Sequence, residues 1–223
     1  MTNSLLFIAA DPRECTGLLS HWEQVQPLQL PVHWARTGRW KGREVTAIAN
    51  GAGSERAFAA VLVAPKPSAI CNIGFCGALD ESLRIGDVFV ATEVRNGTQV
   101  WPTCVPDTPD APTGAMASID HIAQTAAEKS NLRDSGASIV EMEAAGVARA
   151  SEDLNLPFYC IRAVSDLAHE DFVNDFNAAL GPDGRFSVMS LVKQLKFREL
   201  LRLKQRTDLA SKNLGDFLAA TTF

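Results

Sequence analysis

The sequence is short of the residues that build metal centres, disulfide frameworks and nucleic-acid surfaces. Its four histidines are scattered over 223 residues, so no metal-ligand spacing is visible. The five cysteines (Cys15, Cys71, Cys76, Cys104, Cys160) are odd in number and form no CxxC, and most lie in apolar runs. That usage predicts reduced, buried thiols in an intracellular protein rather than a cross-linked secreted one. Basic residues do not outnumber acidic ones: the formal net charge is −5, which argues against nucleic acid as the main partner. The opening MTNSLLFIAADP lacks a basic leader region, and its apolar run is too short for a signal or a membrane span. The expected compartment is the cytoplasm.

What is present reads as an ordinary soluble chain with a substantial core, 46% hydrophobic and 21% charged. LLFIAA (5–10) and SAICNIG (68–74) are short continuous apolar runs, the pattern of strands buried on both faces. Residues 13–24 have helical spacing. VHWAR and REVTAIAN (32–36 and 43–50) flank a turn at TGRWKG and suggest a hairpin. Gly51 and Gly53 open a helix, SERAFAAVLVA, which the Pro65–Pro67 pair ends. FCGALDE reads as a turn, GDVFVAT as a strand and ASIDHIA as another strand. Between Arg95 and Gly114 four prolines predict an extended, non-helical loop. Thr125 and Glu128 have capping-box spacing, and ASIV, a helix over 143–155 and PFYCIRAVSD form a β-α-β run. After Glu170 the chain looks helical, interrupted at GPDG (181–184). Alternating strands and helices predict one α/β domain over 1–223 with a helical C-terminal extension at about 186–220.

Three stretches could carry chemistry. NGAGSERAFAA brings backbone N–H groups to a glycine turn, but Arg56 replaces the third glycine of a dinucleotide fingerprint and no acidic residue follows at the required distance. A tight turn into a helix is the simpler reading. NIGFCGALDESLRIGD (72–87) bares backbone at the carboxyl end of a central strand, where open α/β sheets bind ligands; a purely structural glycine turn would look the same. In IRAVSDLA, Asp166 is either a cap for the next element or a general acid whose pKa is raised by burial.

Taken in order, NGxG, NIGxxGxL…GD, VEMEAAGVA and LPFYCIRAVSD resemble the nucleoside phosphorylase and nucleosidase superfamily across roughly residues 5–170. The resemblance implies a three-layer α/β fold with a central, twisted, partly barrel-like mixed sheet flanked by helices. It implies cleavage of a purine–ribose bond without a cofactor, phosphate being a co-substrate only in a phosphorylase. Asp166 would protonate the leaving base, oriented by Ser165. Glu143 would hold the ribose hydroxyls and Met142 would pack on the sugar. Phe75, Cys76 and Gly77 would line the pocket. Glu141, the other acid of VEMEAAG, is either a substrate-binding residue or a carboxylate serving the helix start.

The same comparison bears on the nucleophile. Related phosphorylases carry an arginine and a serine where this chain has Asn72 and Phe75, which cannot hold phosphate in that way. Glu14 falls where methylthioadenosine/adenosylhomocysteine nucleosidases have a water-activating glutamate, although a solvated first-turn residue is the plainer alternative. Arg13, Arg36 and Arg39 keep phosphate open. The short segment before VEMEAAG and the C-terminal region resemble hopanoid-associated members linked to adenine removal from adenosylhopane. Futalosine hydrolysis and a non-catalytic nucleoside-binding role are further alternatives. Lys193 to Arg206 holds six basic residues and one acidic, interleaved with leucines. Such a helix either contacts an anionic membrane or packs on the core or a second subunit. The expected partners are a purine nucleoside and further copies of the chain in a homodimer or larger homo-oligomer.

Overall fold

The computed structural model describes residues 4–172, 174–186 and 197–223. Ten strands form one mixed sheet: β1 (Ser4–Ala9), β2 (Glu23–Pro27), β3 (Trp34–Trp40), β4 (Arg43–Ala49), β5 (Ala69–Ala78), β6 (Val88–Asn96), β7 (Gln99–Pro102), β8 (Thr113–Ser118), β9 (Ile139–Glu141) and β10 (Phe158–Asp166). The helices are α1 (Thr16–Leu19), α2 (Ser54–Val63), α3 (Ala126–Asp134), α4 (Ala144–Leu154), α5 (Phe176–Ala179) and α6 (Phe197–Ala220).

The strand order is β10-β6-β8-β9-β5-β1-β4-β3-β2, and β10 also pairs with β5. Strands β10, β6, β8, β9 and β5 therefore close a ring, while β1 to β4 extend from it as an open wing. β5 makes this possible. Its first half lies between β1 and β10, and its last two residues pair with β9 instead. A strand covered on both faces by packed layers must be apolar on both faces, as AICNIGFCGA largely is, with Ile70 in one core cluster and Cys71 and Ile73 in the other.

β1 shows how the layers form. Leu6 and Ile8 point into a core completed by Ala57, Ala60 and Val61 of α2 and by Ala144, Val147 and Ala148 of α4. Leu5, Phe7 and Ala9 point the other way, to Leu18 of α1 and Ala210, Leu214 and Leu218 of α6. The period-two alternation of one strand thus feeds two helical layers. The backbones of α2 and α4 meet at Gly146, where an added Cβ would strike the Ser54 carbonyl.

Four local expectations need correction. The helical spacing over 13–24 yields only a 3-10 turn (Pro12–Cys15) and α1, after which the chain becomes edge strand β2 beside β3. FCGALDE is not a turn from its start: β5 runs on to Ala78 because β10 and β9 supply partners that sequence spacing cannot reveal. In ASIDHIA only Ala117 and Ser118 are strand, since pairing with β9 ends at Ser118–Glu141. The proline-rich loop is non-helical as expected, yet β7 folds back on β6 at its start through a turn at Gly97, φ +57°. Of the C-terminal region, residues 187–196 lie outside the described residues. α6 itself is long and docks through Ala210, Leu214 and Leu218.

Candidate active site

The site stands where β5, β9 and β10 end beside the start of β1's following turn. A cavity of about 550 Å³ opens there, with a polar floor that includes Glu14, Glu141, Glu143, Ser165 and Asp166. Phe75, Cys76, Gly77 and Met142 also line it. Every residue anticipated from the sequence as a site residue reaches this one cavity. A second group also lines it: Ile122, Phe172, Phe176, Phe186 and Leu203, with Arg202 and Arg206 of α6.

The two glycines of NIGFCG each make room for a carboxylate. A Cβ on Gly74 would collide with Arg162 Nη1 and Glu14 Oε1, and one on Gly77 would lie 2.8 Å from Asp166 Oδ1. The bared backbone therefore does more than approach a ligand: it lets charged groups from β10 and from the turn after β1 approach β5.

Glu14 is buried, not solvated. Its Oε2 accepts the N–H groups of Ala10 and Asp11 at 2.8 and 3.0 Å, and its Oε1 accepts Phe75 N–H at 2.8 Å. Burial pushes its carboxyl above the usual range, opposed by Arg162 and by these backbone bonds. Part of this is a capping box with Asp11, so the glutamate serves the 3-10 turn and faces the cavity at once.

Arg162 was not singled out from the sequence. Its side chain is 0% exposed, and it binds Glu141 Oε2, Asn72 Oδ1 and the Ile73 carbonyl. Its Nη1 stands 3.7 Å from Glu143 Oε2, and its Nε has no partner among the described residues. One readable sign existed: an arginine inside YCIRAV, a run otherwise buried, must be paired or costs several kcal/mol. Asn72 gives the complementary lesson. At the position where phosphorylases carry arginine, it is fully buried and spends its amide on the Ile8 carbonyl, at 2.9 Å, while its oxygen takes Arg162.

The two glutamates of VEMEAAG part company. Glu141 accepts Glu143 N–H at 2.9 Å and Ala144 N–H at 3.0 and 3.1 Å, besides Arg162, so both oxygens are engaged at the start of α4. Glu143 is freer: Oε1 accepts Gly53 N–H at 3.0 Å, which ties NGAG to VEMEAAG. Burial, then the Glu141 charge, push the Glu143 carboxyl up to about 8, with Arg162 opposing.

Asp166 lies at a bulge in β10. Val164 pairs with Cys76 and Asp166 with Gly77, so Ser165 is the extra residue and the aspartate is turned toward the cavity. Its Oδ2 lies 2.9 Å from Ser165 Oγ, which is also 3.1 Å from the Cys76 carbonyl. The serine's single proton can go to the carbonyl while Ser165 accepts from a protonated Asp166, or it can go to an ionised Asp166. Both charge states are therefore accommodated. Burial raises the Asp166 carboxyl above its ordinary range, and Lys129, bonded to Oδ1, opposes that rise.

Of the arginines considered for phosphate, Arg13 lines the cavity but is held by Asp11 through bonds of 2.8 and 3.1 Å. Arg36 lies over Trp34, 5.0 Å from the ring centroid, and neither it nor Arg39 lines the cavity. Cys104 is the exception among the thiols, exposed where Cys15, Cys71, Cys76 and Cys160 are buried. No group of three His, Cys, Asp or Glu side chains among the described residues is arranged to hold a metal ion. No helix among them is long and apolar enough to cross a membrane.

A closed ring of strands with an open wing, and a carboxylate-rich cavity at the ends of β5 and β10, define an α/β enzyme class. The chain belongs to the phosphorylase superfamily, whose family model matches residues 4–117 and 109–182. A 5'-methylthioadenosine/S-adenosylhomocysteine nucleosidase of Staphylococcus aureus (strain JH9) is 29% identical over 226 residues, covering 84% of this chain and 98% of that protein. Two solved structures share the fold. One is the 5'-methylthioadenosine/S-adenosylhomocysteine nucleosidase of S. pneumoniae with a transition-state inhibitor: TM-score 0.75, 20% identity, 97% of each chain. The other is the futalosine hydrolase of Helicobacter pylori strain 26695: TM-score 0.76, 16% identity, 99% of this chain and 97% of that one.

Proposed function

We propose that the chain hydrolyses the N-glycosidic bond of a purine nucleoside. The observation that carries this reading is the convergence on one cavity of Asp166, Glu143 and Glu14, with the charge of the fully buried Arg162 acting on both glutamates. Breaking the bond between the anomeric carbon and purine N9 leaves electrons on the base and positive charge on the sugar. Asp166 delivers a proton to the base, at N7, as the bond opens. Glu143 accepts the ribose hydroxyls and, when ionised, places negative charge near the developing cation. A water attacks the anomeric carbon and gives its proton to Glu14. Arg162, bound to Glu141 and 3.7 Å from Glu143, keeps the three glutamates from repelling one another apart.

Water is favoured over phosphate because Asn72 is committed to Ile8 and Arg162, and Arg13 to Asp11. The relatives support an adenine-type leaving group, since the nucleosidases among them are named for 5'-methylthioadenosine and S-adenosylhomocysteine. For the 5′ substituent, the wall of Ile122, Phe172, Phe176, Phe186 and Leu203 favours an apolar group. An adenosyl lipid such as adenosylhopane suits that wall, and the basic start of α6 suits a membrane surface that presents it. The enzyme works in the cytoplasm as a homo-oligomer in this reading.

The test is product analysis. The protein is incubated with adenosine, 5′-methylthioadenosine, inosine and an adenosyl lipid, with and without phosphate. Free ribose or its 5′ derivative should appear with adenine in both conditions. Sugar 1-phosphate formed only when phosphate is supplied would overturn hydrolysis. Asp166→Asn should lose most turnover while still binding ligand, and near-wild-type turnover there would remove Asp166 from the role of acid.

A further inference from the structure

α3 is a polar helix, AAEKSNLRD, and the one residue it buries fully is its lysine. Lys129 is 1% exposed. Burying an ammonium is costly unless all its donors and its charge are met. Here they are: Nζ binds Asp166 Oδ1, donates to the Leu167 carbonyl at 2.8 Å, and lies 5.2 Å from the centroid of the Phe172 ring. Two oxygen acceptors and one aromatic face thus meet the ammonium, and Asp166 and Phe172 both line the cavity. Lys129 does not itself line the cavity, so it meets Asp166 from behind. The helix is anchored independently of its lysine, by Leu132 packed on the cluster of Leu79, Ala123 and Val140 and by Arg133 paired with the exposed Glu81. It spends its buried residue on the carboxyl proposed to react.

We infer that Lys129 is a positioning residue for the leaving-group acid: it fixes Asp166 on the cavity wall and sets the pH above which the enzyme loses its acid. The inference rests on the reading of Asp166 as that acid. Other groups face the carboxyl too. Ser165 on β10 binds Oδ2, Cys76 on β5 is an acid held neutral by burial, and Glu170 after β10 adds negative charge. Arg206 of α6 adds positive charge but is bound through both nitrogens to Glu170. Lys129 is the one cation among the described residues that touches Asp166. Burial and Glu170 hold the proton on Asp166, and Lys129 draws it off. Protonated Asp166 is the reactive form, so turnover falls as pH rises through its titration.

Removing the cation therefore moves that fall to higher pH, by about one unit or more, the usual effect of an opposite charge in contact with a carboxyl. The experiment has two readouts on wild type, Lys129→Met, Lys129→Arg and Asp166→Asn. The first is the ¹³C carboxyl resonance of Asp166 across pH, assigned by its loss in Asp166→Asn. The second is kcat/KM against pH with 5′-methylthioadenosine. In Lys129→Met the Asp166 midpoint and the alkaline limb should both rise by about a unit or more, while the plateau kcat below that limb falls about tenfold because the carboxyl is no longer held in place. Lys129→Arg should stay within about half a unit of wild type, since it keeps the charge. A midpoint unmoved in Lys129→Met, or moved equally in Lys129→Arg, would overturn the inference. If Lys129→Met does not fold, Lys129→Gln keeps N–H donors without charge and carries the same expectation. The underlying reading fails separately: Asp166→Asn would then keep near-wild-type turnover, whatever the resonance does.

Discussion

Gly77 and Asp166 face each other across the β5–β10 pairing so closely that a Cβ on the glycine would stand 2.8 Å from Asp166 Oδ1. The same Cβ would lie 3.2 Å from Val140 Cγ1, so a side chain at 77 has no free direction. The carboxyl cannot retreat cheaply either, because Lys129 and Ser165 hold its two oxygens. Gly77→Ala should displace Asp166 by a few tenths of an ångström and cut kcat by about ten- to a hundredfold. Its far-ultraviolet circular dichroism should stay that of the wild type. Full activity in Gly77→Ala would mean that the position of Asp166 does not limit turnover.

Glu14 yields a second expectation. Its two oxygens accept three backbone N–H bonds, from Ala10, Asp11 and Phe75. Glu14→Gln keeps the shape but turns one oxygen into an NH2 group facing an N–H donor. The loss should be about 1–3 kcal/mol of stability, from the buried donor left without an acceptor. Turnover should fall about a hundredfold or more, because the amide cannot take a proton from water. Thermal melting and steady-state kinetics check the two separately; a variant as active as wild type would remove Glu14 from the nucleophile's path.

How much of this was legible in the sequence depends on whether a residue's role is local. β1, the Gly51–Gly53 helix start and the β-α-β run from 137 to 166 follow from apolar runs and turn residues, and they fold as read. β5's extension to Ala78 was not readable, because its partners β9 and β10 lie more than sixty residues further on. Within the site, Glu14, Glu143 and Asp166 stood in recognisable motifs. Arg162 showed only as a charge in an apolar run, and Lys129 showed not at all: in AAEKSNLRD nothing marks one lysine as buried. Its burial comes from where α3 settles against the loop after β10.

Glu143 links function to stability. Burial and Glu141 push its carboxyl up to about 8, against 4.5 for the free side chain. The folded protein therefore holds a proton that the unfolded chain releases between about pH 4.5 and 8. Its contribution is most favourable below the lower value and is lost as pH rises through the upper one. Glu143→Gln mimics the protonated form, so the melting temperature of the variant minus that of the wild type should rise steadily across this window. At pH 8 the gain should be about 1 kcal/mol or more. Ribose binding should weaken in the same variant. A difference in melting temperature that is flat with pH would show that Glu143 is already ionised in the unliganded enzyme.

The outer wall of the cavity depends on a different carboxylate. Glu170 accepts two bonds of 2.7 Å from Arg206, and Arg202 stands 3.6 Å away, so α6 is fastened to the loop after β10. Those arginine bonds, the larger influence, outweigh burial and hold the Glu170 carboxyl down at about 2. Its stabilising contribution is present above about pH 4.5 and is lost as pH falls toward 2. Glu170→Gln should raise KM several-fold by loosening Leu203 and Arg206 from the cavity, and should move the alkaline fall in turnover to lower pH, because it removes a negative charge that helps hold the proton on Asp166. Amide exchange in the first turns of α6 should quicken at pH 7, and the difference from wild type should shrink as the wild type is acidified through the same window. Unchanged KM together with unchanged exchange would mean that the rest of the helix's contacts, Ala210, Leu214 and Leu218 in the core and the hydrogen bonds of Ser211 and Asn213, fix the helix without the ion pair, and that the ion pair contributes nothing to the cavity.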